Sequence, residues 1–232
     1  MTLKERVRSP ALSAPEGGRG WGLAVALIAL SAIPLTVGLL RLIQLAGPAV
    51  IPADPRFEPF PVAIVLHISG SAVFALLGVL QFMPRFRRRH RRWHRGTGRL
   101  LIVAGLIVVA SALWLTLGYD AQPGTGRVLF VVRLVVAPAM ALCLVQGFVA
   151  IRRRDATNHR AWMIRAYALA LGAGTQVFTE GLGGLLFGTG VLAGDLAKGA
   201  AWVVNLAVAE WVIRRQSGRG SDRAGASASV LR

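Results

Sequence analysis

The sequence predicts an all-α membrane protein, a polytopic helical bundle of about six transmembrane helices with N- and C-termini cytoplasmic. Three observations carry this. Of the 232 residues 54% are hydrophobic and only 16% charged. The charge is basic, with 27 Lys and Arg against 10 Asp and Glu, a formal net charge of +17. The basic residues are gathered into blocks between long uncharged runs, not spread along amphipathic faces, and that segregation marks a chain that crosses a bilayer repeatedly.

A spanning helix needs about 20 mostly apolar residues to cross a hydrocarbon layer of about 30 Å. A polar tail, residues 1–20, precedes the first run, Trp21 to Ala46. That polar lead and an overlong apolar core favour a retained anchor over a cleaved signal peptide. The second span runs from Pro61 to Met83, the third from Leu100 to Gly118 and the fourth from Val128 to Ile151. The fifth, Ala161 to Leu182, is weakened by Gly172, Gly174 and Gly181, and the sixth, Leu196 to Ile213, by Gly199. Residues 21–213 therefore form the six-span domain. The stretch after it, 214–232, is small, polar and basic, and reads as a disordered cytoplasmic tail.

Orientation follows from Lys and Arg placement. Lys4, Arg6, Arg8 and Arg19, the eight arginines from Arg85 to Arg99, Arg152, Arg153, Arg154 and Arg160, and the five of the C-terminal tail account for 21 of the 27. All of them fall on one side of a six-span chain, which makes that side cytoplasmic and the protein a multi-pass protein of the inner or plasma membrane. Most span-end tryptophans, Trp21, Trp93, Trp114, Trp162, Trp202 and Trp211, suit an aromatic belt. Cys143 is the single cysteine and lies in an apolar run, so no internal disulfide forms.

The loop "RFRRRHRRWHRGTGR", Arg85 to Arg99, is the most charged stretch. Pinned between two spans and with no nucleic-acid-binding domain around it, it reads as a topology signal that also holds anionic lipid headgroups, each basic residue contributing about 1 kcal/mol near the surface. His90 and His94 stand four apart, but the surrounding arginines repel a divalent cation, and Gly96 and Gly98 argue against one continuous helix. His94 gains interest from a repeat. "HRGTGR" leads into span three and "HRAWMIR" into span five, so His94–Arg95 and His159–Arg160 stand at the starts of two parallel helices in one leaflet. Helix N-termini favour anions and neutral imidazoles. His94 and His159 could ligate a b-type haem iron, with Arg95, Arg99 or Arg160 meeting its propionates, and a quinone or other redox partner would follow.

Ionisable residues inside spans are costly and face the bundle interior with a partner. Arg165 lies roughly 9 Å past His159 at a helical rise of about 1.5 Å per residue. Glu210 is at comparable depth in span six, so the two are expected to pair. On the other side of the membrane centre, a pair of Arg133 and Glu180 with His67 nearby would let all three face inward, the alternative being that Arg133 snorkels to the interface. Gln176 and Asn205 add uncharged hydrogen-bonding capacity between these layers.

His67 with Gly70, "HRGTGR" at 94–99 and above all "HRAWMIRAYAL" at 159–169 give the chain its resemblance to a family of bacterial membrane proteins catalogued as domain of unknown function 2306. The likeness runs from about His67 to Leu182, outside spans one and six. It implies a multi-span integral membrane protein of unassigned function. A further arginine often follows late in span five of that family; here "GTQVFTEGL" carries Gln176 and Glu180 instead.

Three functions fit this layout. The first is haem b electron transfer at His94 and His159, the second a small-solute or proton-coupled transporter using the buried Arg and Glu pairs, and the third a non-catalytic scaffold binding anionic lipid. No hydrolytic triad, phosphate loop, zinc signature or dinucleotide fingerprint occurs, and nothing suggests nucleic acid as a partner.

Overall fold

A computed structural model describes residues 17–48, 50–57 and 60–230, with side chains from 21 to 216 within those limits. The polar stretch through residue 16, with Lys4, Arg6 and Arg8, lies outside the described residues. Eight helices follow in order: α1 Gly17–Leu45, α2 Val62–Phe82, α3 Pro84–Arg89, α4 Arg91–Gly118, α5 Arg127–Arg152, α6 Ala156–Ala170, α7 Gly172–Phe187 and α8 Val191–Val230. Among the described residues there is no strand. The protein is an all-helical, multi-pass membrane protein. Five helices, α1, α2, α4, α5 and α8, contain segments long and apolar enough to cross a membrane.

The residues expected to form a fifth span make two half-length helices, neither of them among the helices long enough to cross a membrane. α6 and α7 have 15 and 16 residues and meet end to end at Leu171, with φ −73° and ψ 0°. The break has a structural cause on each side of it. A Cβ at Gly172 would run into the Trp202 indole, and one at Gly174 into the Leu30 carbonyl of α1, so both positions need glycine for close approach. Carbonyls released at the end of α6 find partners on α8: Trp202 Nε1 donates to Leu169 O at 3.1 Å and Asn205 Nδ2 to Ala168 O at 3.0 Å.

The helices pack as a closed ring. α1 lies on α2, α2 on α4, α4 on α5, α5 on α6, both α6 and α7 on α8, and α7 returns to α1. Phe74, Leu101, Met140, Leu144, Tyr167 and Leu169 form its buried core. Outward-facing residues are apolar, with Leu185 86% and Phe187 78% exposed, which suits lipid and would be unfavourable in water. The α2–α4 connection, which includes α3, and the α5–α6 connection share the arginine-rich end. The α1–α2, α4–α5 and α7–α8 loops lie at the opposite end.

Three boundaries differ from the sequence reading. α4 begins at Arg91 and runs through Gly96 and Gly98 without interruption. Its first turns are braced: Thr97 Oγ1 donates to Trp93 O at 2.8 Å and accepts from Gln81 Nε2 of α2 at 2.6 Å, while Trp93 packs edge-on against Phe86 at 4.5 Å. α8 begins at Val191, and its backbone continues as helix to Val230 through the stretch expected to be disordered. Trp202 sits at the α6–α7 break inside the bundle, not at a span end.

Candidate functional site

A cavity of about 740 Å³ lies inside the ring and reaches the loops at the end opposite the arginine-rich one. α1 contributes Ser31 and Pro34, α2 His67 and Ser71, α5 Arg133, α7 Gln176 and α8 Trp202. Its volume falls in the range of small-molecule sites. Phe74, Met140 and Tyr167 line it deeper in the bundle. Tyr167 is held by its hydroxyl donating to Ala75 O at 2.8 Å and by ring contacts with Phe74 at 5.9 Å and Phe82 at 4.9 Å. Gly78 makes room for that ring, since a Cβ there would collide with it.

His67 is oriented by α4. Its Nδ1 lies 3.3 Å from both Val108 O and Ser111 Oγ. Ser111 Oγ already donates toward Ile107 O at 2.7 Å, so Nδ1 faces two acceptors. In the neutral ring Nδ1 therefore carries the proton, and Nε2 keeps its lone pair.

Arg133 stands two turns into α5 and makes no hydrogen bond or ion pair among the described residues. Its expected partner is committed elsewhere: Glu180 Oε1 pairs with Lys198 Nζ at 2.6 Å. The expected Arg133–Glu180 pair is thus replaced by Glu180–Lys198, because α7 packs along α8 while α6 is the half-helix against α5. The carboxylate whose charge reaches Arg133 is Asp195. That group is 1% exposed, and its oxygens accept from Gly126 N at 2.9 and 3.1 Å and Leu129 N at 3.0 Å. It caps the N-terminus of α5 from α8, where four N–H groups lack helical acceptors.

At the cavity mouth Arg56 is fully engaged. It forks onto Asp54, Nε to Oδ1 at 2.9 Å and Nη2 to Oδ2 at 2.5 Å. The same guanidinium holds the Asp54 carboxyl below its ordinary value, and Asp54 in return raises Arg56.

Toward the arginine-rich end, the expected inner pair is present. Arg165 on α6 meets Glu210 on α8 through two bonds, Nε–Oε1 at 2.5 Å and Nη2–Oε2 at 3.0 Å, and its guanidinium lies 4.8 Å from the Trp162 ring centroid. Above it, Thr175 Oγ1 and Asn205 Oδ1 lie 2.8 Å apart, and Gln176 Nε2 donates to Lys198 O at 3.4 Å. Asn205 and Gln176 thus stitch the broken span to α8.

His94 and His159 stand near the N-terminal ends of α4 and α6, as expected. His159 Nδ1 is 2.8 Å from Gly147 O on α5, which leaves Nε2 outward. His94 lines an open recess of about 660 Å³ with Arg87, Arg88, Arg91 and Arg95. His159 is not among its walls, although the charges of His94 and His159, and of Arg87 and Arg160, reach one another. Arg95, Arg99 and Arg160 are exposed. A haem needs apolar walls for its ring as well as two axial nitrogens. Walls of guanidinium fit an anion better. No group of three potential metal ligands occurs among the described residues.

Sequence reasoning missed Asp195 and the pairing of Lys198, read only as a basic residue on the side opposite the arginine-rich loops, with Glu180. The available signal was an isolated acid and base in "VLAGDLAKGAAW", but a span placed to begin at Leu196 left the first of them in a loop.

A family model for predicted membrane proteins (DUF2306) matches residues 64–213, so the likeness extends past the sequence motifs through α7 and into α8. No curated protein and no solved structure matches the chain.

Proposed function

The chain belongs to the DUF2306 family of predicted membrane proteins, and from that premise we propose that it carries a small solute across the bilayer, with the cavity at His67 and Arg133 as its binding chamber. The observation that carries this reading is where one helix breaks and two unbroken ones carry a proline. α1 has Pro34 and α5 has Pro138 inside their apolar runs, and α6 gives way to α7 at Leu171. Pro34 and Leu171 line the cavity, and Pro138 adjoins its lining residue Ala137. Discontinuous and kinked helices at a central site let one part of a bundle move against another around a bound solute.

The two ends of the cavity are built differently. Toward the opposite end it reaches loops held by Arg56 and Asp54. Toward the arginine-rich end it meets the Phe74, Met140 and Tyr167 layer, and beyond that layer lies the Arg165–Glu210 pair. This asymmetry fits a carrier open to one side, and the positive-inside rule favours the cytoplasm for the arginine-rich end. The electron-transfer reading has less behind it, since the His94 recess lacks an apolar slot.

Side-specific labelling tests the carrier reading without knowledge of the solute. Ser71→Cys is placed in a Cys143→Ser background and treated with a membrane-impermeant maleimide in right-side-out and in inverted vesicles. A carrier exposes this position to both sides in turn, with faster labelling from the side opposite the arginines. Labelling from one side only, under every condition, would leave a static binding chamber.

A further inference from the structure

We infer that the solute is a small monocarboxylate with an apolar body, anchored by Arg133. The inference rests on reading the cavity as a binding chamber. Its first support is a count of charges around the cavity. Arg56 is neutralised by the two-point contact with Asp54. Lys198 is neutralised by Glu180. The Asp195 carboxylate is held by the N–H groups at the start of α5, and its charge reaches Arg133 without a bond between the two. Two charged side chains of the lining have no hydrogen bond or ion pair among the described residues: Asp120, exposed at the mouth where its charge acts on Arg56, and Arg133 on α5, the one cation so placed. One guanidinium in a membrane-embedded chamber asks for one anion, and its planar fork matches a carboxylate.

The second support is His67. Its Nδ1 proton is directed at Val108 O and Ser111 Oγ, so the neutral ring offers only the Nε2 lone pair. A lone pair repels a second negative charge and accepts from a hydroxyl or an acid proton. Dianions such as phosphate are therefore disfavoured beside a lone guanidinium. The third support is the rest of the wall, which is largely hydrocarbon and aromatic and would leave a fully hydrated ion without partners.

The test is binding to the purified full-length chain in detergent, with hexanoate, its neutral isostere hexanamide, and inorganic phosphate as probes in titration calorimetry. Hexanoate is expected to bind at least about tenfold tighter than hexanamide, as a charge-assisted contact requires. Arg133→Gln abolishes that preference and Arg133→Lys keeps part of it. Equal binding of the two probes, no binding of either, tighter binding of phosphate, or a preference that survives Arg133→Gln would each overturn the inference. The wild-type comparison stands even where a variant fails to fold. Hexanoate preference with one-sided labelling of Ser71→Cys removes the carrier and keeps the ligand class; two-sided labelling without the preference does the reverse.

Discussion

Arg165 and Arg133 are both guanidiniums within the membrane-spanning bundle, and the chain treats them differently. Arg165 lies on α6 and has Glu210 of α8 across from it at 2.5 Å and 3.0 Å. Arg133 lies on α5, faces a cavity, and feels the charge of a carboxylate that is bonded to backbone N–H groups and not to it. A charge held in hydrocarbon without a partner costs free energy that folding gains nothing by keeping. The paired arginine thus serves the fold and the unpaired one serves a ligand.

Removing the partner from the paired site is the strongest way to break this contrast. Glu210→Leu leaves Arg165 unneutralised and is expected to lose about 3 kcal/mol of stability. The Arg165→Leu, Glu210→Leu double variant is expected to return to within about 1 kcal/mol of wild type. Thermal unfolding in detergent reads both, and a single variant as stable as the double would mean the pair is not the structural element described here.

Asp195 ranks next. Asp195→Ala orphans the Gly126 and Leu129 N–H groups and is expected to cost about 2 kcal/mol. Asp195→Asn keeps one acceptor oxygen and should lose less. If Asp195→Ala is silent in the same unfolding experiment, the α8 cap is not what holds the start of α5, and Arg133 would need another explanation for its isolation.

Arg133→Gln sharpens the comparison by separating the two properties. It removes an unpaired charge, so stability is expected to stay level or rise by up to about 1 kcal/mol, while binding of hexanoate is lost. A substitution that costs stability as Glu210→Leu does would place Arg133 with the structural residues.

How far this contrast was legible in the sequence depends on which residue is considered. Arg165 and Glu210 could be matched because they are opposite charges at a similar depth toward the arginine-rich ends of their spans. Depth alone mispaired Arg133 with Glu180, because it does not say which helices are neighbours. The ring places α7 against α8, and Glu180 finds Lys198 one helix away. Hydropathy set span six at Leu196, and so hid Asp195 inside a helix that starts at Val191. Glycine content signalled weakness in span five, but not that Trp202 and Asn205 would take the carbonyls at a clean break. Conversely, Gly96 and Gly98 looked like helix breakers and are not, since both face open space on a helix braced by Thr97 and Trp93. Composition and charge blocks specify crossings well; lateral order in the bundle comes from packing.

The smallest expected effect concerns the third guanidinium, Arg56, which lies between the other two in character. It is paired, but at the cavity mouth outside the membrane-spanning segments, where water screens the pair. Asp54 is held below its ordinary value of 3.8, chiefly by the hydrogen bonds from Arg56. A carboxyl with a lowered folded-state pKa contributes stability above its unfolded value, and loses that contribution as pH falls through the folded one. The stability difference between wild type and Asp54→Asn should therefore be constant from neutral pH down to about 4 and close below that, with a size of at most about 1 kcal/mol. The same substitution leaves Asp120 as the acid acting on Arg56 at neutral pH and makes the cavity mouth more positive. Phosphate, disfavoured by the wild-type chamber, is then expected to gain about threefold in affinity, more than hexanoate does, because a dianion feels the added charge twice. An equal gain for both anions would show that Arg56 is too far from the anchor to count as part of the site.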